Sequence, residues 1–164
     1  MQIKKERRKY LRYNTEVKIY FHVNYDLKTK VRFQVLDEKE SMLLSKKYPA
    51  LSRDVSAEGL RFNSGKELKK GNSLYLEVYL PRKKRPVRMT GQVRWSKKVL
   101  GSGSGKNKFD TGVKLLTVSG KPVSNSIYFD NESRVIWSTV LDSVFGSFRK
   151  LMQKNTVPRR GNRL

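Results

Sequence analysis

Residues 73–81 read SLYLEVYLP, and residues 87–99 read VRMTGQVRWSKKV. In the first stretch Leu74, Leu76, Val78 and Leu80 alternate with Ser73, Tyr75, Glu77 and Tyr79. In the second, Val87, Met89, Gly91, Val93 and Trp95 alternate with Arg88, Thr90, Gln92 and Arg94. A repeat of two in β-branched and aromatic residues marks a strand with one buried face. PRKKRP (81–86) lies between them, with proline at each end, and reads as a basic loop. Two such strands on a short loop are the unit from which sandwiches and barrels are built.

The same period recurs outward in both directions. EVKIYFHV (16–23) alternates Val17, Ile19, Phe21 and Val23 with polar residues, and VRFQVL (31–36) repeats the pattern more weakly. PALSRDVSAEGLRFNS (49–64) holds two short strands around a kink, where Gly59 supplies backbone freedom at a bulge or turn. KELKKGNS (66–73) is a turn around Gly71, GSGSGKNK (101–108) a flexible hairpin loop, and FDTGVKLL (109–116) the last strand. DEKESMLLSKKY (37–48) reads as a short helix. The fold class is all-β with a C-terminal helix: about six short strands close into a barrel or sandwich. Trp95 shares the face of Val87, Met89 and Val93 and is expected in the barrel core or on a strand face.

After Ser119 the character changes. In NESRVIWSTVLDSVFGSFRKLM (131–152) the apolar residues Val135, Ile136, Trp137, Val140, Leu141, Val144, Phe145, Phe148, Leu151 and Met152 fall at spacings of three and four. That is one face of an amphipathic helix. Asp130 or Asn131 can cap its start, and Arg149 and Lys150 suit its end. Its simplest role is a lid on the open end of the barrel.

Composition limits the chemistry. The 164 residues carry 37 Lys and Arg against 14 Asp and Glu, a formal charge of +23, which draws in anions. There is no Cys, and His22 is the only His. Thiolate nucleophiles, disulfides and metal sites built on Cys or on several His are excluded. The carboxylates are scattered, so no acid–base pair stands out. GSGSGKNK departs from a phosphate-binding loop: Gly105 and Lys106 are followed by Asn107, and strands stand on both sides. No run of about 18 apolar residues occurs, and no apolar segment follows the basic start, so neither a membrane span nor a secretory signal is expected. The expected location is cytoplasmic, without catalysis, metal or cofactor.

KKERRKYLRY (4–13) holds six cations in ten residues. Taken alone, it reads as a basic arm. Forty-two residues beyond Arg12 stands DVSAEG (54–59). Asp54 and Ser56 point to the same side of a strand. A carboxylate beside a hydroxyl can accept from the N1–H and N2–H₂ edge of guanine. Arginine forks pair with phosphate oxygens or the O6/N7 edge of guanine, and stack on bases.

R-K-Y-L-R (8–12) followed by D-V-S-A-E-G (54–59), with GLRF, LYLEVYLP, GQVRW and TGVKLL in order behind them, resembles the PilZ domain family over roughly residues 7–117. The resemblance implies a six-stranded antiparallel β-barrel that binds cyclic di-GMP, a bacterial second messenger, and relays the signal to a protein effector. It implies that Arg8 and Arg12 clamp phosphates and guanine faces. Asp54 and Ser56 would hydrogen-bond a guanine edge, and Gly59 would allow close approach. Arg7, just before the motif, is associated in the family with an intercalated pair of ligands. The arm at 1–13 would be flexible when empty and ordered by ligand. The barrel is expected over 14–119 with an insertion at about 24–48. A linker and helix follow at 120–153, then a disordered basic tail at 154–164, and no folded domain is expected before the motif. The alternative is a nucleic-acid-binding barrel that uses the arm, the 81–86 loop and the tail.

Overall fold

A computed structural model describes residues 23–37, 46–99 and 107–146. Two residues, Tyr25–Asp26, form β1; β2 is Lys30–Val35, β3 Tyr48–Val55, β4 Gly59–Ser64 and β5 Ser73–Tyr79. The long strands β6 (Val87–Lys98) and β7 (Phe109–Val118) follow, then β8 (Lys121–Pro122), a 3₁₀ turn at Ser124–Ser126, β9 (Tyr128–Asp130) and β10 (Val135–Trp137). A helix, α1, occupies 139–146.

Six strands make a closed antiparallel ring in the order β3-β2-β5-β6-β7-β4, with β4 returning to β3. Closure leaves no long exposed edge in this ring. The alternating residues do what their pattern demands. Val31, Phe33, Leu74, Leu76, Val78, Met89, Val93 and Leu115 are all at most 3% exposed and share one core.

β2 lies between β3 and β5 in the ring. β2 falls within the stretch expected as an insertion at about 24–48. The strand expected over 16–23 and the helix expected over 37–48 fall largely outside the described residues. β1 and β2 follow one another along the same side of β3, where Ser52 bridges the break between them. Its hydroxyl accepts from the Thr29 amide at 2.9 Å and donates to the Leu27 carbonyl.

The C-terminal region departs from the expected continuous helix. Residues 131–134 form a turn between β9 and β10, and Arg134 takes a left-handed φ of 55°. Asp130 caps this turn, its Oδ1 accepting from the amides of Glu132 (3.0 Å) and Ser133 (3.3 Å). The β-branched and aromatic run Val135–Trp137 then pairs as a strand. The helix starts only after Ser138. That buried hydroxyl accepts from the Leu141 amide at 3.4 Å and donates to the Ala57 carbonyl. Ile136, Trp137, Val140 and Leu141 join the barrel core, so the start of α1 closes over the barrel.

Candidate functional site

Five residues stand in one transverse row across five strands. Asp26 pairs with Asp54, Asp54 with Arg61, Arg61 with Gly112 and Gly112 with Trp95. Asp54 and Trp95 are thus separated by three strand spacings along the curved sheet, each about 4.8 Å. A cleft of about 300 Å³ opens over this row, lined by Asn24, Asp54, Ser56, Gly59, Arg61, Arg94, Trp95 and Gly112 among others.

The row depends on two irregularities in the strands. In β3 the register against β4 shifts between Ser52 and Asp54. In β6 it shifts against β7 between Val93 and Trp95. Arg94 is the additional residue there, and both Arg94 and Trp95 are exposed, Trp95 to 37%. Strict alternation places Trp95 inside with Val93. The bulge reverses that expectation and brings the indole to the outer wall of the cleft.

Gly112 gives the indole its place. A Cβ on Gly112 would stand 2.4 Å from Trp95 Cε2 and Nε1, far inside contact distance. Gly59 makes room in the same way rather than through an unusual backbone angle. A Cβ there would meet Ser56 Oγ at 2.9 Å. The turn between Ser56 and Gly59 is closed by the Ser56 amide donating to the Gly59 carbonyl at 2.9 Å.

Arg61 is held by two carboxylates. Its Nε donates to Asp110 Oδ1 and Oδ2 at 2.9 and 3.0 Å, and its Nη2 lies 2.9 Å from Asp110 Oδ2. Its Nη1 reaches Asp54 Oδ2 at 3.3 Å. The hydrogen bond to Asp110, followed by the charges of Asp110 and Asp54, raises the Arg61 pKa against the opposing effect of burial. Asp110 anchors Arg61, and Arg61 in turn fixes one oxygen of Asp54.

The structure thus brings Asp54, Ser56 and Gly59 together in one cleft. Arg7, Arg8 and Arg12 lie outside the described residues, as does His22. Sequence reasoning did not single out Arg61, Arg94, Asp110 or Gly112. Arg61 and Asp110 had a faint signal, a cation and an acid at the starts of two strands, but their pairing rests on register. Among the described residues no cluster of three or more His, Asp or Glu is arranged to hold a metal ion. No helix among them is long and apolar enough to cross a membrane.

A solved structure of the Bacillus subtilis inhibitor of motility, MotI/DgrA, is similar in part: 22% identity and a TM-score of 0.42, over 60% of this chain and 43% of that one. The matched region therefore spans less than half of that protein's length. No curated protein matches the chain. The family model of the PilZ domain matches residues 6–129, well over half of the sequence, and includes both the R-x-x-x-R stretch and the strands that form the cleft. The chain belongs to the PilZ domain family.

Proposed function

We propose that this chain, like PilZ domains generally, is a non-enzymatic receptor for cyclic di-GMP, which it binds in the cleft of Asp54, Ser56, Gly59 and Trp95, with Arg8 and Arg12 brought over it from the N-terminal arm. The observation that carries this reading is the gathering of Asp54, Ser56 and Gly59 with Arg94 and Trp95 in one cleft.

The chemistry follows from the lining. Arg61 holds Asp54 Oδ2, which leaves Oδ1 to accept from the N1–H and N2–H₂ edge of a guanine. Ser56 adds a second acceptor beside it. The exposed face of Trp95 offers a stacking wall for a purine, and Arg94 next to it attracts phosphate. Gly59 keeps the floor low enough for the base to approach. Arg8 and Arg12 pair with the phosphates and stack on the guanines. Charge-assisted hydrogen bonds contribute about 1.5–3 kcal/mol each. Four such contacts offset binding costs and reach the micromolar range, about −8.2 kcal/mol. Arg7 supports uptake of an intercalated ligand pair. Ordering of the arm changes the surface offered to a protein effector, which relays the signal.

Calorimetric titration of cyclic di-GMP tests the reading. Wild type should bind at micromolar affinity or tighter, with two ligands per chain if Arg7 acts as proposed. Arg8→Ala and Asp54→Ala should each weaken binding at least tenfold. Equal, weak, salt-sensitive binding by all three proteins would sink the proposal.

A further inference from the structure

Across the ring from β4 lies β5, and its outer face carries Tyr75, Glu77 and Tyr79. The neighbouring strands bring cations to the same face. On β2, Lys30 stands opposite Tyr79 and Arg32 opposite Glu77; on β6, Arg88 flanks Glu77 from the other side. Lys30 Nζ sits 5.4 Å from the centre of the Tyr79 ring and the Arg32 guanidinium 5.9 Å from it. Glu77 is neutralised by Lys47 at 2.9 Å, and no salt bridge among the described residues involves Lys30, Arg32 or Arg88. Beyond the Tyr79 end of the strand, Arg82, Lys84 and Arg85 are exposed in the basic loop. At the Tyr75 end, a pocket of about 460 Å³ is lined by Tyr75, Pro86, Arg88, Thr90, Thr117 and Ser119 among others.

We propose that this outer face of β2, β5 and β6 binds single-stranded nucleic acid, at a site separate from the dinucleotide cleft. Half-exposed aromatic rings lying on a sheet, with cations on both sides, offer stacking for unpaired bases and charge for the phosphates between them. The pocket beside Tyr75 lies within the size range of ligand sites and has Arg88, two threonines and a serine around its wall. A duplex hides its base faces and gains only the charge. A membrane surface calls for apolar side chains that protrude, whereas Tyr75 and Tyr79 are half-buried between charged neighbours. The surface uses neither the arm nor Asp54, so it stands or falls independently of cyclic di-GMP binding.

Fluorescence anisotropy of a labelled oligodeoxythymidine about fifteen nucleotides long, titrated with the full chain, tests this. The single strand should bind more tightly than a duplex of equal length. Tyr79→Ala should weaken it roughly five- to 150-fold, and Tyr79→Phe should keep it. Arg32→Gln removes an exposed cation without touching the core, and should lower the log–log salt slope by about 0.7. Asp54→Ala should bind the oligonucleotide as wild type does. Wild-type affinity and salt slope in Tyr79→Ala and Arg32→Gln would overturn the proposal, since the attraction would then reside in net charge alone. Equal or tighter duplex binding would overturn it too. So would Tyr79-dependent sedimentation with phosphatidylserine vesicles while oligonucleotide binding ignores the substitutions. Far-UV circular dichroism of each variant checks that the barrel is intact.

Discussion

At Gly112 the absent side chain is what matters. The Trp95 indole occupies the space that a Cβ would take, 2.4 Å from its ring atoms. Gly112→Val should therefore push the ring off the cleft wall. The expected result is at least a tenfold loss of cyclic di-GMP affinity by calorimetry, with destabilisation of about 1–3 kcal/mol from the forced displacement. Unchanged affinity would show that Trp95 takes no part in the site. Arg61 poses the opposite case, a side chain whose loss leaves two acids uncompensated. Arg61→Met should lower stability in urea denaturation by about 1 kcal/mol, near the lower end for a charged hydrogen-bonding group because the guanidinium is partly exposed. It should also weaken cyclic di-GMP binding, because Asp54 Oδ2 loses its anchor. Wild-type values for both would reduce Arg61 to a surface cation.

At the scale of elements, the C-terminal segment shows why a helical period is an incomplete guide. Val135, Ile136 and Trp137 fit the spacing of an amphipathic helix, yet they pair with β9 as a strand. The deciding residues are small. Asp130 turns the chain with its carboxylate, and Ser138 starts the helix several residues later than the apolar pattern suggests. Ser138 also ties the helix start to the Ala57 carbonyl, immediately after Ser56 in the cleft. Ser138→Ala should destabilise by about 1–2 kcal/mol, the usual cost of a lost N-cap, and leave the Ala57 carbonyl without this donor. A thermal melt should fall by about 2–4 °C for each kcal/mol lost. An unchanged melting temperature would mean that the Leu141 amide has found another partner.

For the molecule as a whole, the barrel and half of the candidate site were legible in the sequence. Alternation shows wherever one strand face is buried, and β5 and β6 display it over many residues. Asp54, Ser56 and Gly59 were legible because they lie within six consecutive residues. The row Asp54–Arg61–Gly112–Trp95 was not, because it depends on registers between distant segments and on a bulge that no single residue type announces. The alkaline limb of stability belongs to this scale as well. Burial raises the Tyr25 pKa above its ordinary 10.0, and the pair with Glu77 raises that of Lys47 above 10.5. Both groups hold their protons longer in the folded chain than in the unfolded one. Their stabilisation is full below the unfolded values and is lost as pH rises through the folded ones. Urea midpoints should fall above pH 10, and less steeply in Tyr25→Phe with Lys47→Met. A double variant that tracks wild type would assign the alkaline loss to other groups.

The additional residue in β6 has a consequence for how such a surface can change over time. Side chains along a strand obey an odd–even parity, and Arg94 switches that parity for every position after it. Before the bulge, Val87, Met89 and Val93 point inward; beyond it Trp95 and Lys97 share the outer side, with Lys97 Nζ 5.6 Å from the indole. Deleting the codon for Arg94 would restore the uninterrupted alternation with the indole directly after the inward Val93, hence still on the outer side. One in-frame loss would then remove a cation from the cleft and keep its aromatic wall, so the two contributions can be lost separately.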